Sequence, residues 1–200
     1  MAKENANIVF IGHVDSGKST LTGNILKELK EVDEQELIRN RQDAQHNKME
    51  AWEQAGISDI IPEERQDGKT REFAKLNFSL EKKRFTLFDA PGHKNYVPNM
   101  IMGACQADIA VLIISAKEGE FESGFEKDGQ TKEHAMLAKA LGVNELIAVV
   151  TKLGTVDWNE KRFLHIKEQV QPFLENNCGF HNVTFIPVES IQNCNIHKRI

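Results

Sequence analysis

Residues 12–19 read Gly12-His13-Val14-Asp15-Ser16-Gly17-Lys18-Ser19, and this octet decides the fold. It fits the pattern Gly-x-x-x-x-Gly-Lys-[Ser/Thr], in which glycines let backbone N–H groups turn inward around an anion. Residues 7–11 before it are a short apolar run, Ile8-Val9-Phe10-Ile11, that stops at Gly12. That is the pattern of a buried parallel strand. Residues 19–30 after it place Leu21, Ile25, Leu26 and Leu29 on one face at helical spacing. Strand, glycine-containing loop and helix, in that order, form the context in which the motif cradles phosphates, and the helix N-terminus adds a positive dipole end. Lys18 is expected to reach the β- and γ-phosphates as a point charge, and the Ser19 hydroxyl to take one Mg²⁺ position.

Working outward, residues 72–80 partly alternate apolar and polar, and Lys82-Lys83 turns the chain into the apolar run 85–89. This predicts an antiparallel hairpin at a sheet edge. Further strands are predicted at 109–115, 146–150 and 183–188, with helices over 131–141 and 160–176 between them. The alternation implies an α/β fold of the P-loop kind. Its sheet is mostly parallel and six-stranded, with one antiparallel edge strand and helices on both faces. Residues 31–54 are dense in charged and amide side chains, with Leu37, Ile38, Met49 and Trp52 as anchors. They predict one or two solvated helices. Residues 55–71, with Gly56, Pro62 and Gly68, predict a loop. The whole is expected to be one domain, 1–200, with a charged insertion at about 31–72.

Composition narrows the class. Twenty-five Lys and Arg against 30 Asp and Glu leave a net charge of −5, which argues against a protein that coats nucleic acid. The apolar runs 109–115 and 146–150 are too short to cross a bilayer, and the polar start Met1-Ala2-Lys3-Glu4-Asn5 has no signal-peptide core. Cys105, Cys178 and Cys194 lack a zinc spacing. These features predict a cytoplasmic protein with no membrane partner.

A second cluster reads Asp89-Ala90-Pro91-Gly92-His93. A carboxylate at the C-terminal end of an apolar strand, beside the phosphate loop, is placed to hold Mg²⁺. Gly92 offers a bare N–H to a γ-phosphate, and His93 follows at once, in reach of an attacking water. Thr70, in Asp67-Gly68-Lys69-Thr70, is by composition an ordinary loop threonine; only its register with the other motifs marks it to complete the Mg²⁺ shell and to order its loop with triphosphate.

Together, the octet with Thr20 and the stretch Asp89–Lys94 resemble the phosphate loop and second switch of the translational GTPases. The resemblance spans residues 7–196. It implies a G domain that binds GTP and GDP with Mg²⁺ and hydrolyses GTP on the ribosome. It also implies that catalysis rests on Lys18, Asp15, Thr70 and His93, and that Ser19, Thr70 and Asp89 hold the metal. Residues 63–70, 96–101 and 124–131 resemble the branch acting in translation termination; Ser16 resembles the elongation factor 1-alpha branch. The implied partners are the ribosome and a tRNA-shaped release factor or aminoacyl-tRNA. Those contacts would be made mostly through β-barrel domains that this sequence does not encode, and the domain itself is expected to be a monomer.

The sequence departs from the family where the base is read. The family's Asn-Lys-x-Asp appears as Thr151-Lys152-Leu153-Gly154, and its Ser-[Ala/Gly] as Glu189-Ser190. In the family the aspartate accepts from guanine N1 and N2, which Gly154 cannot do. Thr151 is shorter than asparagine and is expected to tie the loops less well. The Lys152 stem can still cover the base, and a backbone N–H near Ser190 can meet O6. The expectation is intact phosphate chemistry with guanine affinity weakened by on the order of 10²–10⁴. A binding module that no longer cycles is the alternative to an enzyme.

Overall fold

The computed structural model describes residues 4–29, 74–80, 82–90, 97–126 and 129–196. The expectations for 31–54 and 55–71 therefore lie outside the described residues, as do Thr70, Gly92 and His93. Within them, strands β1 (Glu4–Ile11), β2 (Ala74–Ser79), β3 (Lys83–Asp89), β4 (Ile109–Ser115), β5 (Glu145–Thr151) and β6 (Thr184–Pro187) form one sheet in the order β2-β3-β1-β4-β5-β6. Every pairing is parallel except β2 with β3. The mostly parallel sheet with an antiparallel edge is thus as expected.

Among the described residues the α-helices are α1 (Lys18–Glu28), α2 (Val97–Ala104), α3 (Gln130–Ala140) and α4 (Glu160–Pro172). Strand alternation sends neighbouring residues to opposite faces. Val9, Ile11, Leu112, Ile114 and Val150 join one buried cluster with Met100 of α2, Ala135 and Ala138 of α3, and Ile166 and Val170 of α4. Phe10, Leu87, Val111, Ile113 and Val149 join a second cluster with Leu21 and Leu26 of α1. Both faces are covered, which is why the central strands read as continuous apolar runs. Each fully buried large side chain contributes about 1.5–3 kcal/mol.

Most bounds move by only a residue or two; the larger differences from the sequence reading have physical causes. β1 begins at Glu4 because its first seven residues pair with β3, from Glu4↔Lys83 to Phe10↔Asp89, so cross-strand hydrogen bonds carry its polar start. α4 ends at Pro172, which has no N–H to donate, and the chain widens into a π-helical turn over Phe173–Asn177. The helix α2 has no counterpart in the reading; its Met100 and Ala104, one turn apart, are both fully buried. Cys105, Cys178 and Cys194 are free thiols. Among the described residues no helix is long and apolar enough to cross a membrane.

This topology fixes the site. β1 is central, with β3 on one side and β4 on the other, so successive crossovers leave in opposite directions. The crevice at such a switch point lies beyond the strands' C-terminal ends, where the 12–17 loop emerges.

Candidate functional site

The loop after β1 is held in a conformation that only its own residue types allow. Gly12 has φ 146°, and a Cβ there would lie 2.3 Å from the Ile113 carbonyl oxygen, so glycine is required for backbone angle and for space. Asp15 is left-handed at φ 58°, and Gly17 at φ 94° caps α1. Ser16 N–H donates to the His13 carbonyl at 3.3 Å, closing the turn. Ser19 and Thr20 follow in the first turn of α1, whose N–H groups lack intrahelical acceptors. Val14 and His13 are half-buried on the flank of the loop.

Lys18 is buried, at 6% exposure, and folds back over the loop: its Nζ donates to the carbonyls of His13 at 2.8 Å and Gly12 at 3.2 Å. Burial lowers its pKa to about 8, against the opposing pull of the Asp89 and Asp15 charges. An ammonium desolvated in this way gains strongly from a polyanion brought beside it. Asp89 ends β3 with no exposed surface, opposite Phe10 in the strand register. A buried carboxylate, Asp89, thus ends β3, and a hydroxyl, Ser19, lies in the first turn of α1. That is a hard-oxygen donor set that fits Mg²⁺ rather than a soft metal.

His134 is a site residue that the sequence reading missed. It lies on the buried face of α3 with Thr131, Ala135 and Ala138, and its Nδ1 accepts the Gly12 N–H at 3.3 Å. Burial, then the nearby Lys18 charge, drives its pKa down to about 3, so it supports the loop as a neutral imidazole. Its signal in sequence was a single histidine on an alanine face, which predicts core and nothing more. His13 also has a lowered pKa, from burial first, opposed by a hydrogen bond with Gln130.

The loop after β5 departs from expectation in one respect. Thr151 does tie the loops: its Oγ1 donates to the Ser16 carbonyl at 2.6 Å and lies 3.2 Å from that of Ile114. A threonine suffices because β5 brings its backbone close to the phosphate loop. Lys152 is left-handed at φ 58° and its Nζ pairs with Glu120 Oε2 at 2.7 Å. Burial alone would raise the Glu120 pKa, but hydrogen bonds from Lys152, Ser115 and Lys117 outweigh it and hold the carboxylate ionised. Glu189 is buried at 3% exposure, accepting from Gly154 N–H at 2.7 Å and Ile191 N–H at 3.1 Å. Ser190, also buried, offers its carbonyl to Asn24 Nδ2 of α1. Asp157 is left-handed, at the end of the short 3₁₀ turn Leu153–Val156.

A family model described as the elongation factor Tu GTP binding domain matches residues 3–199. The eukaryotic peptide chain release factor GTP-binding subunit of Schizosaccharomyces pombe is 45% identical over 99% of the chain and 31% of that protein. Its Kluyveromyces lactis counterpart is 43% identical over 99% of the chain and 29% of that protein. The chain thus spans about a third of the length of the curated relatives it matches. The crystal structure of Sup35 complexed with GDP aligns with a TM-score of 0.69 at 36% identity, covering 100% of this chain and 40% of that one. The S. cerevisiae Ski7 GTPase-like domain aligns with a TM-score of 0.88 at 21% identity, covering 98% and 45%, and supports the fold alone. With a phosphate-loop geometry that requires its glycines and a family match from end to end, the chain belongs to the elongation factor Tu GTP-binding domain family.

Proposed function

We propose that this chain is the G domain of a translation factor of the release-factor type, which binds GTP and GDP and hydrolyses GTP as a switch on the ribosome. The observation that carries the reading is Lys18, desolvated against the His13 and Gly12 carbonyls inside a left-handed glycine loop. Residues 12–20, Gly92, Thr151, Lys152, Gly154, Glu189 and Ser190 form the nucleotide site. Ser19, Thr70 and Asp89 would hold Mg²⁺, which when bound neutralises charge on the β- and γ-phosphate oxygens.

In the reaction, water attacks the γ-phosphorus, the bond to the β–γ bridging oxygen breaks, and GDP and inorganic phosphate leave. Lys18 and the loop N–H groups stabilise the charge that builds on the bridging and γ oxygens. Asp15, at the exposed tip of the loop, would help stabilise that charge through a bound monovalent cation, since its carboxylate alone would repel the phosphate oxygens. His93 would orient the water, and Thr70 would complete the Mg²⁺ shell beside the γ-phosphate. Such catalysis is positioning and electrostatics, so turnover without the ribosome is slow. Cytoplasmic location, a monomeric state and a tRNA-shaped release factor as partner belong to the same reading; delivery of aminoacyl-tRNA is its elongation counterpart.

Single-turnover GTP hydrolysis, with and without ribosomes and the partner release factor, tests it. Ribosome-stimulated hydrolysis that His93→Ala lowers by at least about 10²-fold, with nucleotide affinity retained, is the expected result. Nucleotide binding with no hydrolysis under any condition would instead make the chain a binding module.

A further inference from the structure

The family's guanine-reading aspartate is replaced by Gly154, yet a carboxylate stands in that place. A Cβ built on Gly154 would lie 2.8 Å from Glu189 Oε2, 3.2 Å from its Cδ and 3.3 Å from its Cγ. A side chain at 154 and the Glu189 carboxylate therefore exclude one another, and Glu189 fills the volume that the glycine leaves. We propose that Glu189 reads the Watson–Crick edge of guanine, accepting its N1–H and 2-amino group in place of the absent aspartate. The proposal rests on the nucleotide reading above and adds to it which residue selects the base.

The carboxylate is held rigidly for this task. Oε2 accepts from Gly154 N–H at 2.7 Å and Oε1 from Ile191 N–H at 3.1 Å, so one backbone donor from each base-side loop orients it. The backbone of Glu189 is pinned in turn: its N–H donates to the Cys194 carbonyl at 3.1 Å, and its carbonyl accepts from Cys194 N–H at 2.9 Å. Val188 N–H donates to the Val150 carbonyl at 2.8 Å, fixing the loop to the end of β5.

A carboxylate has about four acceptor positions, two on each oxygen. Two are used, one on each oxygen, which leaves one acceptor position on each. Two acceptors are what the guanine N1–H and 2-amino donors require. Adenine presents an N1 lone pair there, which the carboxylate repels. A carboxylate at 3% exposure, met among the described residues by two neutral donors only, is also short of compensation until a donor pair arrives.

Competition binding of GDP, IDP, XDP and ADP to the full chain tests this. IDP lacks the 2-amino group and is expected to bind about 10–100-fold more weakly than GDP. ADP is expected to bind at least about 10³-fold more weakly. Glu189→Gln replaces one acceptor with a donor, so GDP weakens about 10²-fold while XDP, with a 2-oxo group, becomes the better ligand. The exchange Gly154→Asp with Glu189→Ser should restore GDP binding to within about tenfold of the parent. Circular dichroism confirms that each variant is folded, and the four-nucleotide series on the parent chain needs no variant. GDP and ADP binding alike, or a GDP preference untouched by Glu189→Gln, overturns the proposal. If that equal binding is still lost in Lys18→Ala, the nucleotide reading stands and only Glu189's role falls. A chain that binds none of the four overturns both.

Discussion

Thr151 acts through a single hydroxyl. It stands at the end of β5 and donates at 2.6 Å to a carbonyl of the phosphate loop, with one hydrogen shared toward Ile114. Thr151→Val keeps the shape and β-branching but leaves the Ser16 carbonyl buried and unpaired, a cost of about 1–3 kcal/mol. Urea unfolding should show that loss; a change below about 0.5 kcal/mol would mean that the tie contributes nothing. Gly12→Ala is expected to be worse. Its Cβ would meet the Ile113 carbonyl oxygen at 2.3 Å, at a φ of 146° that side chains avoid, so about 2–4 kcal/mol is lost or no soluble fold forms. The need for Gly12 was legible in the spacing of the octet. The adequacy of Thr151 was not, because it depends on how closely β5 approaches the loop, a property of the sheet rather than of either residue.

Among the elements, α3 has a part that its sequence did not announce. It buttresses the phosphate loop through His134, whose partner Gly12 is 122 residues away, so no local pattern could have joined them. That contact makes stability depend on pH in a definite sense. His134 has a folded pKa of about 3 against 6.5 in the unfolded chain, so below pH 6.5 the unfolded state binds the extra proton. Stability is then lost as pH falls from about 6.5 toward 3, by up to about 1.4 kcal/mol per pH unit from this group alone. Lys18, lowered from 10.5 to about 8, acts in the same sense but in its own window: stability rises as pH increases between those values. His134→Gln keeps a carbonyl acceptor for Gly12 and removes the titration. Urea midpoints measured from pH 7 to pH 4 should fall less steeply in the variant, and parallel slopes would count against His134 as the titrating group.

At the scale of the whole molecule, the parallel order was legible because its strands are buried on both faces and so are written as unbroken apolar runs such as Ile109–Ser115. The polar start of β1 and the helix α2 were not, since pairing to β3 and burial of two residues one turn apart leave little mark on periodicity. The same topology links the phosphate loop, the end of β3 and the base-side loops to one sheet edge, so a ligand bridging them should stabilise the sheet as a unit. On the nucleotide reading, GDP with Mg²⁺ at 100 times its Kd adds about 2.7 kcal/mol to the folded state. For a domain of this size that is a rise in Tm of about 5–10 °C. Lys18→Ala should abolish the shift, because it removes the desolvated charge that the phosphates compensate. Glu189→Gln should reduce it for GDP and transfer it to XDP, because the phosphate contacts survive and only the base contacts change. A shift of equal size with GDP in the Lys18→Ala variant would place the ligand somewhere other than the loop after β1.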